Sequence, residues 1–196
     1  DYGIHEVMDS FQPSIIGHSK QVEMLRALHA HDKLPQAVIF SGEKGLGKGI
    51  LAREFAAFLI AGQNHPYHQT LHQITHNAHP QVFTLQKEQG EGQIGVEVVR
   101  EGRKFFHRTA DKNQWRILIV DALDDLNRFG SNALLKIVEE PPQRSLVILL
   151  NHNRSKLLPT LRSRSYVLPF HELSRSEADL LAQSHPDFDW NITGGN

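Results

Sequence analysis

The sequence predicts an α/β protein of three layers, a five-stranded parallel sheet with helices packed on both faces. Three observations carry that expectation. Short apolar runs alternate with longer amphipathic stretches along the chain. Between one such run and one such stretch stands Gly42-Glu43-Lys44-Gly45-Leu46-Gly47-Lys48, a G-x-x-x-x-G-K phosphate-loop pattern. A second apolar run, Arg116-Ile117-Leu118-Ile119-Val120, ends on Asp121, the pattern of a buried parallel strand that presents an acid at its C-terminal end.

In chain order, a helix is expected near 20–30, followed by a strand at 37–41, where Ala37-Val38-Ile39-Phe40 reads as a short buried run entering the loop. Leu51 to Ile60 reads as the helix leaving it, within 48–61. A second strand is expected at 81–85, a helix at 95–108, and the acid-tipped strand at 115–121. Asn132-Ala133-Leu134-Leu135-Lys136-Ile137-Val138-Glu139-Glu140 lies in a helix of 127–140, with Leu134, Leu135 and Val138 forming its apolar stripe and Pro141-Pro142 stopping it. Strands at 145–150 and 165–170 and a helix near 174–183 complete the pattern. In an open parallel sheet ligands belong at the C-terminal ends of the strands, where Gly42 to Gly49 and Asp121 both fall.

The strand–loop–helix setting gives the loop its chemistry. Glycines let backbone N–H groups approach phosphate oxygens, the helix N-terminus adds partial positive charge, and Lys48 supplies a point charge. Two departures qualify this. The position after Lys48 carries a Ser or Thr hydroxyl for Mg²⁺ in the full motif, and here it is Gly49. The residue after Asp121, where ATPases of this kind commonly place a Glu to polarise the attacking water, is Ala122; Asp124 and Asp125 lie too far along to assume that role without special geometry. Removing these groups leaves a cradle that can hold ATP or ADP without turnover, with its use of Mg²⁺ open.

With 196 residues and 39% hydrophobic content, the chain can bury one sizeable core, and its length suits one or two domains. A formal net charge of −1 gives no global basic signature, so contact with nucleic acid is local or shared with partners. No apolar run has the length of a membrane span and the N-terminus carries no signal pattern, so no membrane partner is expected and the expected location is the cytoplasm. The absence of Cys excludes disulfides and thiolate metal sites. A His-rich stretch holds His65, His68, His72, His76 and His79; tetrahedral structural zinc sites are overwhelmingly built with thiolates, so a metal-free module is expected over a zinc site. Arg100, Arg103, Lys104 and Arg108, at helical spacing, read as a solvated face rather than a DNA-phosphate contact.

Asn132 to Pro142 resembles the N-A-L-L-K-x-L-E-E-P-P segment of bacterial clamp-loader AAA+ subunits. Ile15-Ile16-Gly17-His18 followed by Leu34-Pro35-Gln36-Ala37 resembles that family's opening, and Leu157 to Ser165 the stretch containing its Ser-Arg-Cys motif. The agreement runs over about residues 14–170 with the motifs in order. The resemblance implies a P-loop NTPase fold of the AAA+ type over 1–170, a degenerate zinc-module insertion at about 62–80, and the start of a helical lid domain over 171–196. It implies an adenine pocket framed by Ile15, Ile16 and Gly17, a degenerate nucleotide site of Gly42, Gly45, Gly47, Lys48, Gly49 and Asp121, and a sensor-1 position at Asn151, with His152 beside it; a loop cap explains those two equally well. The altered loop and missing Glu are more like the family's member that does not turn over ATP than its gamma/tau ATPase. That member projects the arginine of Ser-Arg-Cys into a neighbour's ATP site. Here it is Arg164, with Ser165 replacing the Cys; the other reading is that Arg162 and Arg164 flank an edge strand as solubilising charges. The implied partners are gamma/tau-like and delta-like clamp-loader subunits, and the sliding clamp and primer-template DNA through the assembled complex. The rival reading is a gamma/tau-like subunit that hydrolyses ATP itself; a nucleotide kinase shares only the phosphate loop.

Overall fold

The computed structural model describes residues 11, 13–14, 17–62, 66–108 and 113–184. Five strands, β1 (Ala37–Ser41), β2 (Val82–Gln86), β3 (Arg116–Asp121), β4 (Ser145–Asn151) and β5 (Tyr166–Pro169), form one sheet in the order β2-β3-β4-β1-β5, and every pairing is parallel. The helices are α1 (Ser19–Ala30), α2 (Lys48–Ala61), α3 (Tyr67–Thr75), α4 (Val96–His107), α5 (Arg128–Glu139), α6 (Pro159–Ser163) and α7 (Arg175–Ser184). The three-layer expectation holds.

Alternation along the strands divides the interior into two cores. Val38, Phe40, Ile117, Ile119, Leu146 and Ile148 face one side, where α1, α2 and α3 bring Leu25, Leu51, Phe55 and Ile74. Ile39, Leu118, Val120, Val147 and Leu149 face the other, where α4 and α5 bring Val99, Phe106, Leu134 and Ile137. All seven residues of β4 are buried, as a central parallel strand requires. Each fully buried aliphatic side chain contributes about 1.5–3 kcal/mol, so the central strands carry much of the fold's stability.

Three local expectations change. Helix α3 lies within the His-rich stretch, where no helix was anticipated; it buries only Thr70 and Ile74, too short a repeat to stand out. A short helix, α6, precedes β5. On α5 the buried face is Gly130, Leu134, Ile137 and Val138, the i, i+4, i+7, i+8 set, and Leu135 is only half-buried, so Ile137 takes the place assigned to it. That helix starts where Asn127 accepts a bond from the Gly130 N–H at 2.7 Å. At the far end, Ser174 and Glu177 form a capping box: the Ser174 N–H donates to Glu177 Oε2 at 2.9 Å and the Glu177 N–H to Ser174 Oγ at 3.3 Å. This sets the start of α7.

Candidate nucleotide site

The sheet order places β4 between β3 and β1, so Asp121, Asn151 and the loop after Ser41 meet at one edge of the sheet. Asp121 lies opposite Leu150, and Ser41 opposite Asn151. Gly45 and Gly47 have φ of 90° and 82°, left-handed values that cost side-chain-bearing residues roughly 1–2 kcal/mol each. With Gly47 as its N-cap, α2 runs away from the site, its first N–H groups aimed back across the loop.

Lys48 is buried, and its Nζ donates to the carbonyls of Gly42, at 2.7 Å, and Glu43. Burial lowers its pKa, while Asp124, Asp121 and Glu43 pull the other way. The ammonium thus braces the loop it belongs to, and an arriving phosphate would compete with carbonyl oxygens for it. Gly42 admits no side chain: a Cβ there would come within 2.5 Å of the Phe170 carbonyl oxygen.

Arg53, one turn beyond Gly49 on α2, is the residue that spacing did not single out. Its Nη1 donates to the Gly49 carbonyl at 3.0 Å and its Nη2 to Asp121 Oδ2 at 3.3 Å. A Cβ at position 49 would sit 3.0 Å from that Nη1 and 3.8 Å from Asp121 Oδ2. The signal was present as an i, i+4 pair, a missing side chain followed one turn later by a long cation, but nothing in the string ties either to Asp121. The donor set therefore does not fit Mg²⁺. One expected ligand is absent at Gly49, and the other, the Asp121 carboxylate, is ion-paired with the guanidinium.

Beyond the loop, Asn151 is buried and its Nδ2 donates to Ser41 Oγ at 3.3 Å, while its carbonyl accepts from the Gly42 N–H at 3.1 Å. Both bonds tie the end of β4 to the start of the loop. Asp124 was also undervalued: its carboxylate accepts the N–H groups of His152 and Asn153, both at 2.8 Å, and so ties the segment after β3 to the turn after β4. Asp125 pairs with Lys87 at 3.2 Å. Burial lowers the pKa of His152, and Lys48 adds to the effect. Gly42, Leu46, His152, Arg154, Phe170 and His171 line a cleft of about 570 Å³ alongside the loop.

Of the adenine-pocket residues, Ile15 and Ile16 lie outside the described residues. Gly17 has φ of 98°, and a Cβ there would meet Leu173 Cδ1 at 2.6 Å, so the approach to α7 closes over it. His65 also lies outside. His72 and His76 share a helical face with ring centroids 4.2 Å apart, and His76 Nδ1 lies 2.8 Å from the His72 carbonyl oxygen. Among the described residues no group of three or more His, Cys, Asp or Glu is placed to hold a metal ion. Arg100 and Lys104 pair with Glu97 and Glu101 of their own helix, as a solvated face does.

Arg164 sits apart from all of this. It follows α6 at the N-terminal end of the edge strand β5, whereas the phosphate loop leaves the C-terminal end of the neighbouring β1. Its side chain is 41% exposed, with Nη2 3.3 Å from Glu139 Oε1 and Nη1 donating to the Thr160 carbonyl at 3.1 Å.

The family model described as "DNA polymerase III, delta subunit" matches residues 17–174. The chain belongs to that family. Similar curated proteins include DNA polymerase III subunit delta' of Pseudomonas aeruginosa, 32% identical over 144 residues, covering 71% of this chain and 42% of that protein. The gamma/tau subunit of Mycobacterium bovis is also 32% identical, over 157 residues, covering 77% of this chain and 27% of that protein. The chain thus spans less than half the length of these relatives. Among solved structures, a gamma subunit-related protein of DNA polymerase III from Thermotoga maritima superposes with a TM-score of 0.61 at 19% identity, over 81% of this chain and 49% of that one. That likeness shows the fold, a five-stranded parallel sheet between helices with a phosphate loop after its first strand. Among the described residues no helix is long and apolar enough to cross a membrane.

Proposed function

We propose that this chain is the AAA+ part of a delta-prime-like clamp-loader subunit, which helps load a sliding clamp on primed DNA, turns over no ATP of its own, and completes a neighbour's ATP site with Arg164. The observation that carries the reading is the placement of Arg164. It lies a strand's length, on the order of 13 Å, from the C-terminal edge where its own loop opens, too far to serve that loop and exposed enough to reach another chain. An arginine suits this use because its planar fork can contact several oxygens of a γ-phosphate as charge redistributes during transfer.

The subunit's own site supports the same division of labour. Its cradle of Gly45, Gly47 and Lys48 suits phosphate, so ATP or ADP can be held there. Gly49 and Ala122 lack the hydroxyl and the carboxylate that metal-assisted hydrolysis uses. Partners under this reading are gamma/tau-like and delta-like subunits, with clamp and primer-template DNA met in the assembled complex. Residues 1–170 form the nucleotide-binding-like domain, with 62–80 a degenerate zinc-module insertion, and 171–196 open a helical lid. A second reading, a gamma/tau-like ATPase, is favoured by one observation: the gamma/tau relative matches at the same 32% identity as the delta' relative. Multiple-turnover ATP hydrolysis by the purified protein alone separates the two. The expected result is no activity above a Lys48→Ala control. Turnover that disappears in Lys48→Ala would establish the second reading.

A further inference from the structure

We propose that Arg53 is a resident cation in the position where phosphate loops of this fold hold a divalent metal, making the site metal-independent. The proposal rests on the reading of Gly42 to Gly49 as a nucleotide-phosphate cradle and adds the charge that site uses. In the full motif, a hydroxyl one position beyond the lysine and a carboxylate at the end of the acid-tipped strand together ligate Mg²⁺. Here the same two positions, Gly49 and Asp121, are bridged by one guanidinium. Arg53 Nη1 reaches the Gly49 carbonyl at 3.0 Å, and Nη2 reaches Asp121 Oδ2 at 3.3 Å.

The substitutions depend on one another. A side chain at position 49 would begin 3.0 Å from Nη1, so a residue larger than glycine crowds the guanidinium where it now sits. The side chains of Arg53 and Asp121 are 20% and 30% exposed, so the pair is partly shielded from solvent. Mg²⁺ demands near-octahedral oxygen ligands at about 2.0–2.1 Å. A carboxylate already paired with a fixed positive charge is a poor ligand, and that charge repels an incoming dication. A phosphate-bearing ligand would instead meet two cations belonging to the chain, the Lys48 ammonium and the Arg53 guanidinium. The ligand class is thus an uncomplexed nucleoside di- or triphosphate rather than its magnesium salt.

Two measurements on the full-length protein test this. The first is Mn²⁺ titration followed by electron paramagnetic resonance, Mn²⁺ standing for Mg²⁺. The second is equilibrium binding of fluorescent ADP and ATP in Mg²⁺ and in EDTA. Wild type is expected to hold no stoichiometric Mn²⁺ and to bind nucleotide with affinities that agree within about twofold in the two buffers. The Gly49→Thr/Arg53→Ala double variant, and Gly49→Thr/Arg53→Gln, which keeps more of the side-chain stem, should each gain about one Mn²⁺ that is lost on adding Asp121→Asn. Nucleotide affinity that drops tenfold or more in EDTA, or one Asp121-dependent Mn²⁺ in wild type, would overturn the proposal. Failure of both folded double variants to gain Mn²⁺ would overturn it too. Absence of any nucleotide binding by wild type would instead sink the nucleotide reading of the loop, and the Mn²⁺ arm would still decide what Arg53 does.

Discussion

Gly47 bears a specific backbone demand, because it must turn the chain with φ of 82° and at once serve as the N-cap of α2. A Cβ at this torsion costs roughly 1–2 kcal/mol. Gly47→Ala is therefore expected to lower the unfolding free energy by about that amount in urea denaturation and to weaken nucleotide binding further, since the loop's N–H groups would be re-aimed. At this scale the sequence was legible where a motif fixes spacing: Gly42, Gly45, Gly47, Lys48 and Asp121 could be named because strand, loop and acid have characteristic intervals. Arg53 could not be tied to Asp121, which lies 68 positions away and meets it only through the packing of α2 beside β3. Asp124 was hidden for the same reason, its partners lying 28 and 29 positions on.

Among elements, the loops at the C-terminal edge are held to one another by single polar side chains. Asp124 is the clearest, accepting two N–H groups from the turn after β4. Asp124→Ala leaves the partly buried His152 N–H without that carboxylate and should cost about 1.5–3 kcal/mol, read as a lower thermal midpoint, with faster hydrogen exchange confined to residues 152 and 153. The strands were readable because buried parallel strands are nearly unbroken apolar runs; all of β4 and four consecutive residues of β3 are buried, and their bounds fell within a residue of expectation. Helix α3 was not readable. Its nine residues bury two positions, and three His side chains on and just after it look like metal chemistry, whereas the structure uses Ile74 to pack the helix on α2. Element type followed from long periodic patterns and failed where the pattern was shorter than about three turns.

For the molecule as a whole, several histidines are buried or half-buried in the fold, and these make stability depend on pH. Burial lowers the pKa of His18, His29 and His152 below the ordinary value of 6.5. The unfolded chain then binds more protons than the folded one between the depressed values and 6.5, so stability is full above 6.5 and falls as pH drops through that window. His18, packed with its ring 5.0 Å from that of Phe170, is the best reporter. His18→Gln should flatten part of the decline in denaturation midpoint below pH 6.5, at some cost in midpoint at pH 8 from lost packing. A decline as steep as wild type would show that His18 is not among the groups responsible.

The proposed division between a phosphate-binding loop and an arginine that serves a neighbour depends on the sheet keeping Lys48 and Arg164 at opposite ends of β1 and β5. Neighbours hold Arg164 weakly: its pairing with Glu139 joins two substantially exposed side chains, and such pairs contribute about 0–1 kcal/mol. Assembly can therefore redirect it at little cost. The decisive measurement is the clamp- and DNA-stimulated ATP hydrolysis of the partner subunits, reconstituted with full-length Arg164→Ala and with assembly checked by gel filtration. The expected result is intact assembly with hydrolysis slowed by on the order of 10³-fold, as when an arginine finger is removed, and a smaller effect from Arg162→Ala. Unchanged partner hydrolysis in the assembled Arg164→Ala complex would contradict the trans-acting role and leave Arg164 as a charge flanking an edge strand.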